Sequence, residues 1–336
     1  MRKLKNSLYL VVPCYNEEEV LHETAKRLLG KMTLLTAGGK ISDSSKIVFV
    51  DDGSRDNTWA IIDELCEQEI MFAGIRLSRN RGHQYALFAG LMTVRNEADI
   101  VISIDADLQD DIDAIDMMVD KYLGGCDIVY GVRNNRQKDS FFKRFTAESY
   151  YRLLRKYGCD VVFNHADYRL MSSRALAALS EYGEQVLFLR GIVPLIGYKT
   201  AVVEYTRDVR QAGESKYPLK RMLALAFDGL TSLSLRPLRL VIAAGAIMIL
   251  LAGLLLIYSI IMLLMGQSML DWKITTVSIW GVGGVITLSL GIVGEYVGRT
   301  LIEVKRRPRY FVDKTVGFDE IRNSELRTHV GIRNVS

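Results

Sequence analysis

The chain has 336 residues, of which 49% are hydrophobic, 9% aromatic and 24% charged, and its formal net charge is +4. This length suits one large domain or two small ones, the composition suits an ordinary folded core, and the charge is too small to argue for nucleic acid as a partner. The four cysteines (Cys14, Cys66, Cys126, Cys159) form no CxxC pair and have no companion histidine spacing, so they read as free thiols in a reducing compartment, neither a disulfide frame nor a zinc site.

The N-terminus is basic (Arg2, Lys3, Lys5), but the apolar run at 8–12 is too short for the core of a secretory signal and ends at Pro13. It predicts a first strand, and the domain behind it is expected to stay in the cytoplasm. Further β-branched apolar runs predict strands at 46–50, 72–77, 100–104 and 127–130. Between them, helical spacing covers roughly 17–31, 57–69, 83–95 and 111–123, with 38–45 as a plain polar loop. This β-α-β-α order predicts an α/β, Rossmann-like, doubly wound parallel sheet, whose ligands gather at the C-terminal ends of its strands.

Past residue 130 the alternation fades. From Leu219 an amphipathic helix is predicted, with Leu219, Met222, Leu223, Ala226, Phe227, Leu230 and Leu233 on one stripe and Lys216, Lys220 and Arg221 at its start. Such a helix either lies in the headgroup plane of a membrane or packs on the soluble core. The stretch 141–157, mixing aromatics with Lys143, Arg144, Arg152, Arg155 and Lys156, allows a similar docking at poorer periodicity.

Residues 240–265 carry no charge, and 274–297 carry only Glu295. Each run is long enough to cross a hydrocarbon core of about 30 Å, which predicts two transmembrane helices and argues against a buried hairpin of a soluble protein. Arg236 and Arg239 flank the pair on one side and Arg299, Lys305, Arg306, Arg307 and Arg309 on the other. By the positive-inside rule both termini are then cytoplasmic, and the short loop holding Trp272 faces out. Glycines 281, 283, 284, 291, 294 and 298 would let the second span pack closely on the first or on another subunit.

Two of the predicted strands end in acids. KIVFVDDGS places Asp51 and Asp52 at one strand end, and IVISIDADLQD places Asp105 and Asp107 just past another. Carboxylates at such a spacing can converge on Mg²⁺ or Mn²⁺, hard cations that share oxygen ligands with substrate phosphates. The competing reading makes them helix caps or turn residues, as Asp56 before the helix at 57 suggests. Two acid clusters at adjacent strand ends favour the cation.

The order VVPCYNEEEVL, VDDGSRDNTW, LSRNRGHQYALFAG and IDADLQD resembles glycosyltransferase family 2, which has a GT-A fold. The later DYRLMSSRA, FLRG and RQAGESKYP, followed by two spans, are similar to the polyprenyl-phosphate glycosyltransferases, relatives of dolichol-phosphate mannose synthase and of bactoprenol glucosyltransferases. The resemblance covers residues 7 to about 310. It implies a cytoplasmic GT-A domain over 1–212, an interfacial amphipathic region over 213–236, two spans within 237–300 and a cytoplasmic tail over 301–336. The implied home is the plasma (inner) membrane.

The resemblance further implies that Pro13, Tyr15 and Glu17 line a nucleoside pocket and that Asp52 contacts base or ribose. Asp105, Asp107 and Gln109 would hold the metal and, through it, a diphosphate. Arg210, Ser215 and Lys216 would meet phosphate oxygens of donor or acceptor, with Arg133 and Arg136 as further phosphate candidates or a solvated basic face. Asp167, beside Arg169, would stand near the acceptor, as a base or as a positioning group, although helix capping explains an aspartate there equally well. Two positions depart from the family: Asp111-Ile112-Asp113 replaces a proline-containing turn, and Arg81 stands where many relatives carry an aromatic. The second leaves the sugar open among UDP-glucose and other UDP-hexose or UDP-N-acetylhexosamine donors.

The implied activity is inverting transfer of that sugar to a polyprenyl (undecaprenyl) phosphate, for modification of a cell-surface glycan. A homo-oligomer, a flippase and a downstream glycosyltransferase are the further partners it allows. No nucleophile motif includes His22, His83, His165 or His329. The rival readings are a transferase extending a polysaccharide, against which the missing QxxRW motif argues, and an inactive nucleotide-sugar-binding scaffold.

Overall fold

In the computed structural model the described residues are 6–107, 109–133, 165–206 and 272–318, with single positions at 247, 254 and 265. Its first half alternates as the sequence predicts: β1 (Leu8–Cys14), α1 (Leu21–Ala37), β2 (Lys46–Asp51), α2 (Thr58–Gln68), β3 (Phe72–Leu77), α3 (His83–Val94), β4 (Ile100–Ser103), α4 (Ala114–Leu123) and β5 (Ile128–Arg133). α1 begins later than its spacing suggests because the preceding backbone is engaged elsewhere. The N–H groups of Asn16, Glu17 and Glu18 donate to Ser54 Oγ, Thr58 Oγ1 and Asp56 Oδ2. Asp56 also accepts from Thr58 N at 3.1 Å, which makes it a turn residue ahead of α2, whose N-cap is Asn57.

The second half adds β6 (His165–Ser172), α5 (Ser173–Ser180), α6 (Leu189–Leu195), β7 (Thr200–Tyr205), a 34-residue helix α7 (Trp272–Lys305) and β8 (Val312–Val316). The eight strands form one sheet in the order β7-β5-β6-β4-β1-β2-β3-β8. It is mixed, a correction to the expected parallel sheet: β6 runs antiparallel between β4 and β5, and β8 antiparallel beside β3. β6 therefore enters the sheet at the end where β5 finishes. It escaped the sequence reading because its buried Asp167 and Arg169 interrupt the apolar run.

β1 shows how the layers form. Leu8, Leu10 and Val12 point into a core shared with Leu28 and Met32 of α1, Ile62 of α2 and Met118 of α4. Tyr9 and Val11 point the other way, onto Leu87 and Leu91 of α3, Leu176 of α5 and Ile192 of α6. The strand alternation thus divides the helices into two layers. α3 lies closest: a Cβ at Gly90 would come within 2.5 Å of Val11 Cγ1, so only glycine permits this approach. The chain order reverses between β1 and β4, and at such a switch point the strand ends open a crevice.

The region expected as an interfacial helix, 213–236, lies outside the described residues, as does the run expected as the first span apart from Ile247, Leu254 and Met265. The run expected as a second span falls on α7, about 51 Å long at the usual helical rise. Among the described residues no helix is long and apolar enough to cross a membrane. The side chains of Ile274, Val277, Trp280 and Leu288 on α7 lie outside that set. Those of Ile279, Val282, Ile286, Leu290, Val293 and Val297 are exposed, at spacings of three and four residues that make one stripe.

The region beyond α7, expected as a tail from 301 onward, contributes β8 to the sheet. Val312 and Phe318 are buried, and Ser78 N donates to Phe311 O at 3.0 Å. Edge pairing to β3 satisfies backbone groups that a tail would leave to water.

Candidate functional site

At the C-terminal end of β2 two neighbouring acids do different work. Asp51 is fully buried; its Oδ1 accepts Ser54 N at 2.9 Å, and Arg76 Nε stands 3.6 Å from its Oδ2. Asp52 is buried too, and its two oxygens accept Arg81 N and Gly82 N, each at 2.7 Å. Burial raises the Asp52 carboxyl, and the two N–H groups pull it back. The residue therefore fixes the loop that leads into α3. The turn between the two loops needs Gly53, at φ +67°, because a Cβ there would come within 2.7 Å of the Asn80 backbone nitrogen.

Beside this turn is a cleft of about 360 Å³ lined by Tyr15, Arg55, Arg76, Arg79 and Asn80, together with Asp313 of β8. Of the residues expected to line a nucleoside pocket, Tyr15 does face this cleft. Pro13 is buried within β1, in register with Val50, and Glu17 lies in the loop stitched to Thr58. The cleft is rich in guanidinium groups, which suits an anion.

The second group of acids follows β4. Asp107 Oδ1 accepts Gln109 N at 3.2 Å, and Gln109 itself is mostly buried. The Asp105 carboxyl is pushed up to about 6, first by burial and then by Asp110, Asp167 and Asp107, with His83 opposing them. Asp110, three-hundredths exposed, accepts Tyr205 Oη at 2.5 Å and Arg133 Nη2 at 3.3 Å on Oδ1, while its Oδ2 has no hydrogen-bond partner among the described residues. Arg133, expected as a phosphate ligand, is thus engaged by Asp110 and by Tyr205 Oη at 3.1 Å from its Nε.

Facing these acids from β6 is Asp167, which is 5% exposed. Arg169 Nη2 approaches its Oδ1 at 2.6 Å, Arg190 Nη2 its Oδ2 at 3.0 Å, and Gln84 Nε2 its Oδ2 at 3.3 Å. Burial alone would raise this carboxyl; Arg190, His83 and Arg169 outweigh it and hold the group well below the usual carboxylate range. The helix-capping explanation falls away, since Asp167 sits in a strand and Ser172 caps α5 by accepting Ala175 N at 3.1 Å. His83 joins the two sides: its Nε2 lies 3.7 Å from Asp105 Oδ1 and 3.6 Å from Asp167 Oδ2. Burial would lower its imidazole, but Asp167 and Asp105 raise it overall.

Sequence reasoning missed His83, Gln84, Arg190, Asp110 and Tyr205. The first two lie in the SRNRGHQ segment and Arg190 in FLRG, both already quoted for the resemblance, but no spacing rule joins them to Asp167. Arg136, Arg210, Ser215 and Lys216 lie outside the described residues.

The acids suit a divalent cation. Their donor set is all oxygen, and Asp105, lifted first by burial and then by Asp110, Asp167 and Asp107 against His83, would be relieved by added positive charge. Among the described residues no three His, Cys, Asp or Glu side chains gather as a metal-holding group. The protein's share would be the carboxylates of Asp105 and Asp107, with phosphate and water filling the other positions, as is usual for Mg²⁺.

Residues 9–180 match the family described as Glycosyl transferase family 2. Over 313 residues the chain is 48% identical to an uncharacterized glycosyltransferase, YkoT, of Bacillus subtilis (strain 168), covering 93% of each. The chain belongs to glycosyl transferase family 2. It is also 36% identical over 310 residues to the prophage bactoprenol glucosyl transferase homolog of Escherichia coli (strain K12), covering 91% of this chain and 98% of that protein. With the bactoprenol glucosyl transferase of Shigella phage SfII it shares 37% identity over 308 residues, 91% of this chain and 97% of the other. Among solved structures it is similar to mannosyl-3-phosphoglycerate synthase from Rubrobacter xylanophilus, with a TM-score of 0.47 and 16% identity over 70% of this chain and 74% of that one. The protein is a glycosyltransferase with a mixed eight-stranded sheet, resembling the bactoprenol glucosyl transferases along most of its length.

Proposed function

We propose that this transferase moves a sugar from a UDP-sugar to polyprenyl phosphate at the cytoplasmic face of the membrane, with Mg²⁺ or Mn²⁺ as cofactor. The observation that carries the reading is the split of charge across one strand-end crevice. Asp105 is raised by burial and by Asp110, Asp167 and Asp107 against His83, whereas Asp167 is held ionised by Arg190, His83 and Arg169. Relatives sharing more than nine-tenths of the chain are named bactoprenol glucosyl transferases, which supports the lipid acceptor.

The donor's nucleoside would occupy the Tyr15 cleft, with Arg55, Arg76 and Arg79 near its negative charge. A bound cation at Asp105 and Asp107 would supply electrostatic relief for the departing UDP. The chain's own groups supply position. Asp52 locks the loop at 79–82, and Arg190 and Arg169 fix Asp167 toward the acceptor side. An acceptor phosphate oxygen attacks the anomeric carbon, the bond to UDP breaks, and configuration inverts. The phosphate is already anionic near neutral pH, so no general base is required, and Asp167 acts as a positioning group. Arg210, Ser215 and Lys216 complete the phosphate contacts in this reading.

Membrane anchorage rests on the uncharged run 240–265, the apolar run 274–297 and the exposed apolar stripe of α7. Tethering would hold the site beside an acceptor whose phosphate cannot leave the surface, which raises its effective concentration. The test incubates the purified full chain with Mn²⁺, undecaprenyl phosphate and a panel of UDP-sugars. A lipid-linked sugar from one donor supports the reading. Nucleotide binding with no product from any donor replaces it with the inactive scaffold.

A further inference from the structure

The segment that delivers Arg190 to Asp167 is tied to α7. Glu303, two residues before the end of that helix, places both carboxylate oxygens 2.9 Å from Gln185 N, and Oε1 3.3 Å from Val186 N. Six residues on, Arg309 donates from Nη2 to Tyr182 O at 2.7 Å and stacks its guanidinium 4.7 Å from the Phe88 ring on α3. From the other side α3 holds the same segment: Tyr85 Oη donates to Gln185 O at 2.7 Å, and Gln84 Oε1 accepts Leu189 N at 3.0 Å. Arg169 Nη1 donates to Leu189 O at 3.2 Å. One residue further, Arg190 reaches Asp167.

These contacts share out the work unequally. α3 and Arg169 belong to the sheet domain and would hold the segment wherever that domain went. Glu303 and Arg309 come from the helix read above as a membrane span and from the link that follows it. Charge-assisted bonds to two adjacent N–H groups form a directional clamp, because a carboxylate that shifts by an ångström loses both. We propose that Glu303 is a positioning residue for transfer. By clamping the backbone at Gln185 and Val186, it lets α7 set where Arg190, and through it Asp167, stands relative to the acceptor. The acceptor half of this statement rests on the function proposed above; the clamp itself rests only on the contacts.

The test compares the full-length wild type with Glu303→Ala and Glu303→Gln in bilayer nanodiscs. Three quantities are followed: UDP affinity, the kinetics of transfer to undecaprenyl phosphate, and hydrogen exchange at residues 182–190. In Glu303→Ala we expect exchange at Gln185 and Val186 to accelerate and kcat/KM for the lipid to fall about ten- to a hundredfold, as small misplacements near a reacting centre do. UDP affinity should stay within about twofold, because the Tyr15 cleft does not touch the clamp. Glu303→Gln, which keeps one accepting oxygen, should recover part of the loss. Unchanged exchange in Glu303→Ala overturns the clamp. Faster exchange with unchanged lipid kinetics overturns its positioning role, and equal losses of UDP affinity and lipid kinetics reduce it to general stability. Should wild type itself transfer nothing to the lipid, the acceptor assignment fails, and the exchange rates alone then decide whether the clamp exists.

Discussion

Asp167 and Asp105 share a histidine, with His83 Nε2 3.6 Å from one carboxylate and 3.7 Å from the other, yet the fold treats them in opposite ways. Around Asp167 two guanidinium groups and an amide converge, and the carboxyl is held ionised far below its ordinary value of 3.8. Around Asp105 burial together with the carboxylates of Asp110, Asp167 and Asp107 outweighs His83, and the group is lifted to about 6. The first side is electrostatically complete once the chain has folded. The second is left under strain, and in the function proposed above a bound cation would supply the opposing charge. Stability should therefore reside largely with Asp167, and turnover with Asp105 and Asp107.

The hardest blow to that comparison falls on the strained side. Asp107→Ala should lower transfer by about a thousandfold, the scale of losing a group that answers charge in the transition state. Chelation should do the same to wild type, reversibly on adding Mn²⁺, and the variant should stay in the membrane fraction with an unchanged melting temperature. Near-wild-type turnover in the variant, or indifference to chelator, would remove the cation from the account.

The complete side should fail differently. Asp167→Asn leaves Arg169, which is 2% exposed, beside a neutral amide, and breaking one partner of a buried pair costs about 3–5 kcal/mol of stability. The pH dependence carries the sign. Because the folded carboxyl titrates below 3.8, its contribution is full above that value and is lost as pH falls through the lower folded one. Denaturant midpoints measured from pH 6 down to pH 3 should fall for wild type and run flatter for Asp167→Asn. Parallel curves would mean that Arg169 and Arg190 do not hold the charge.

The contrast between the two sides was only half legible in the sequence. Strands β1 to β5 and helices α1 to α4 could be read from periodicity, because each buries a face whose repeat matches its geometry. The acids at 105 and 107 were legible because carboxylates crowded at a strand end need a reason. β6 and its partners were not. Asp167 and Arg169 pair across a strand face, Arg190 arrives from a helix 23 residues away and His83 from one 84 residues before it, and no local pattern encodes such convergence. β8 was hidden for a similar reason: a short edge strand takes its meaning from the β3 backbone beside it.

Asp52 sharpens the comparison from the donor side. The resemblance assigns it to base or ribose, and in the fold each of its oxygens accepts one loop N–H, from Arg81 and Gly82. An asparagine can accept through only one oxygen. Asp52→Asn should thus loosen the loop and raise the donor KM by about tenfold, roughly the worth of one charge-assisted bond, with kcat little changed. A fall in kcat with KM unaltered would place the carboxylate at the reacting atoms instead.

The smallest effect should come from Tyr205→Phe, and it probes where the strained side ends. Tyr205 Oη donates to Asp110 Oδ1 at 2.5 Å, and burial together with Asp110 raises the phenol, so it stays a neutral donor. Without the hydroxyl, Asp110 keeps Arg133 at 3.3 Å as its side-chain partner among the described residues, where its Oδ2 has none. Unfolding free energy should drop by about 1.5–3 kcal/mol, as for a buried bond to a charged group. Transfer should change by less than about threefold if Asp110 only braces the end of β5 against β7. A collapse resembling that of Asp107→Ala would instead draw Asp110 into the cluster of Asp105 and Asp107, so that the boundary between bracing and chemistry would run through Tyr205 rather than between Asp107 and Asp110.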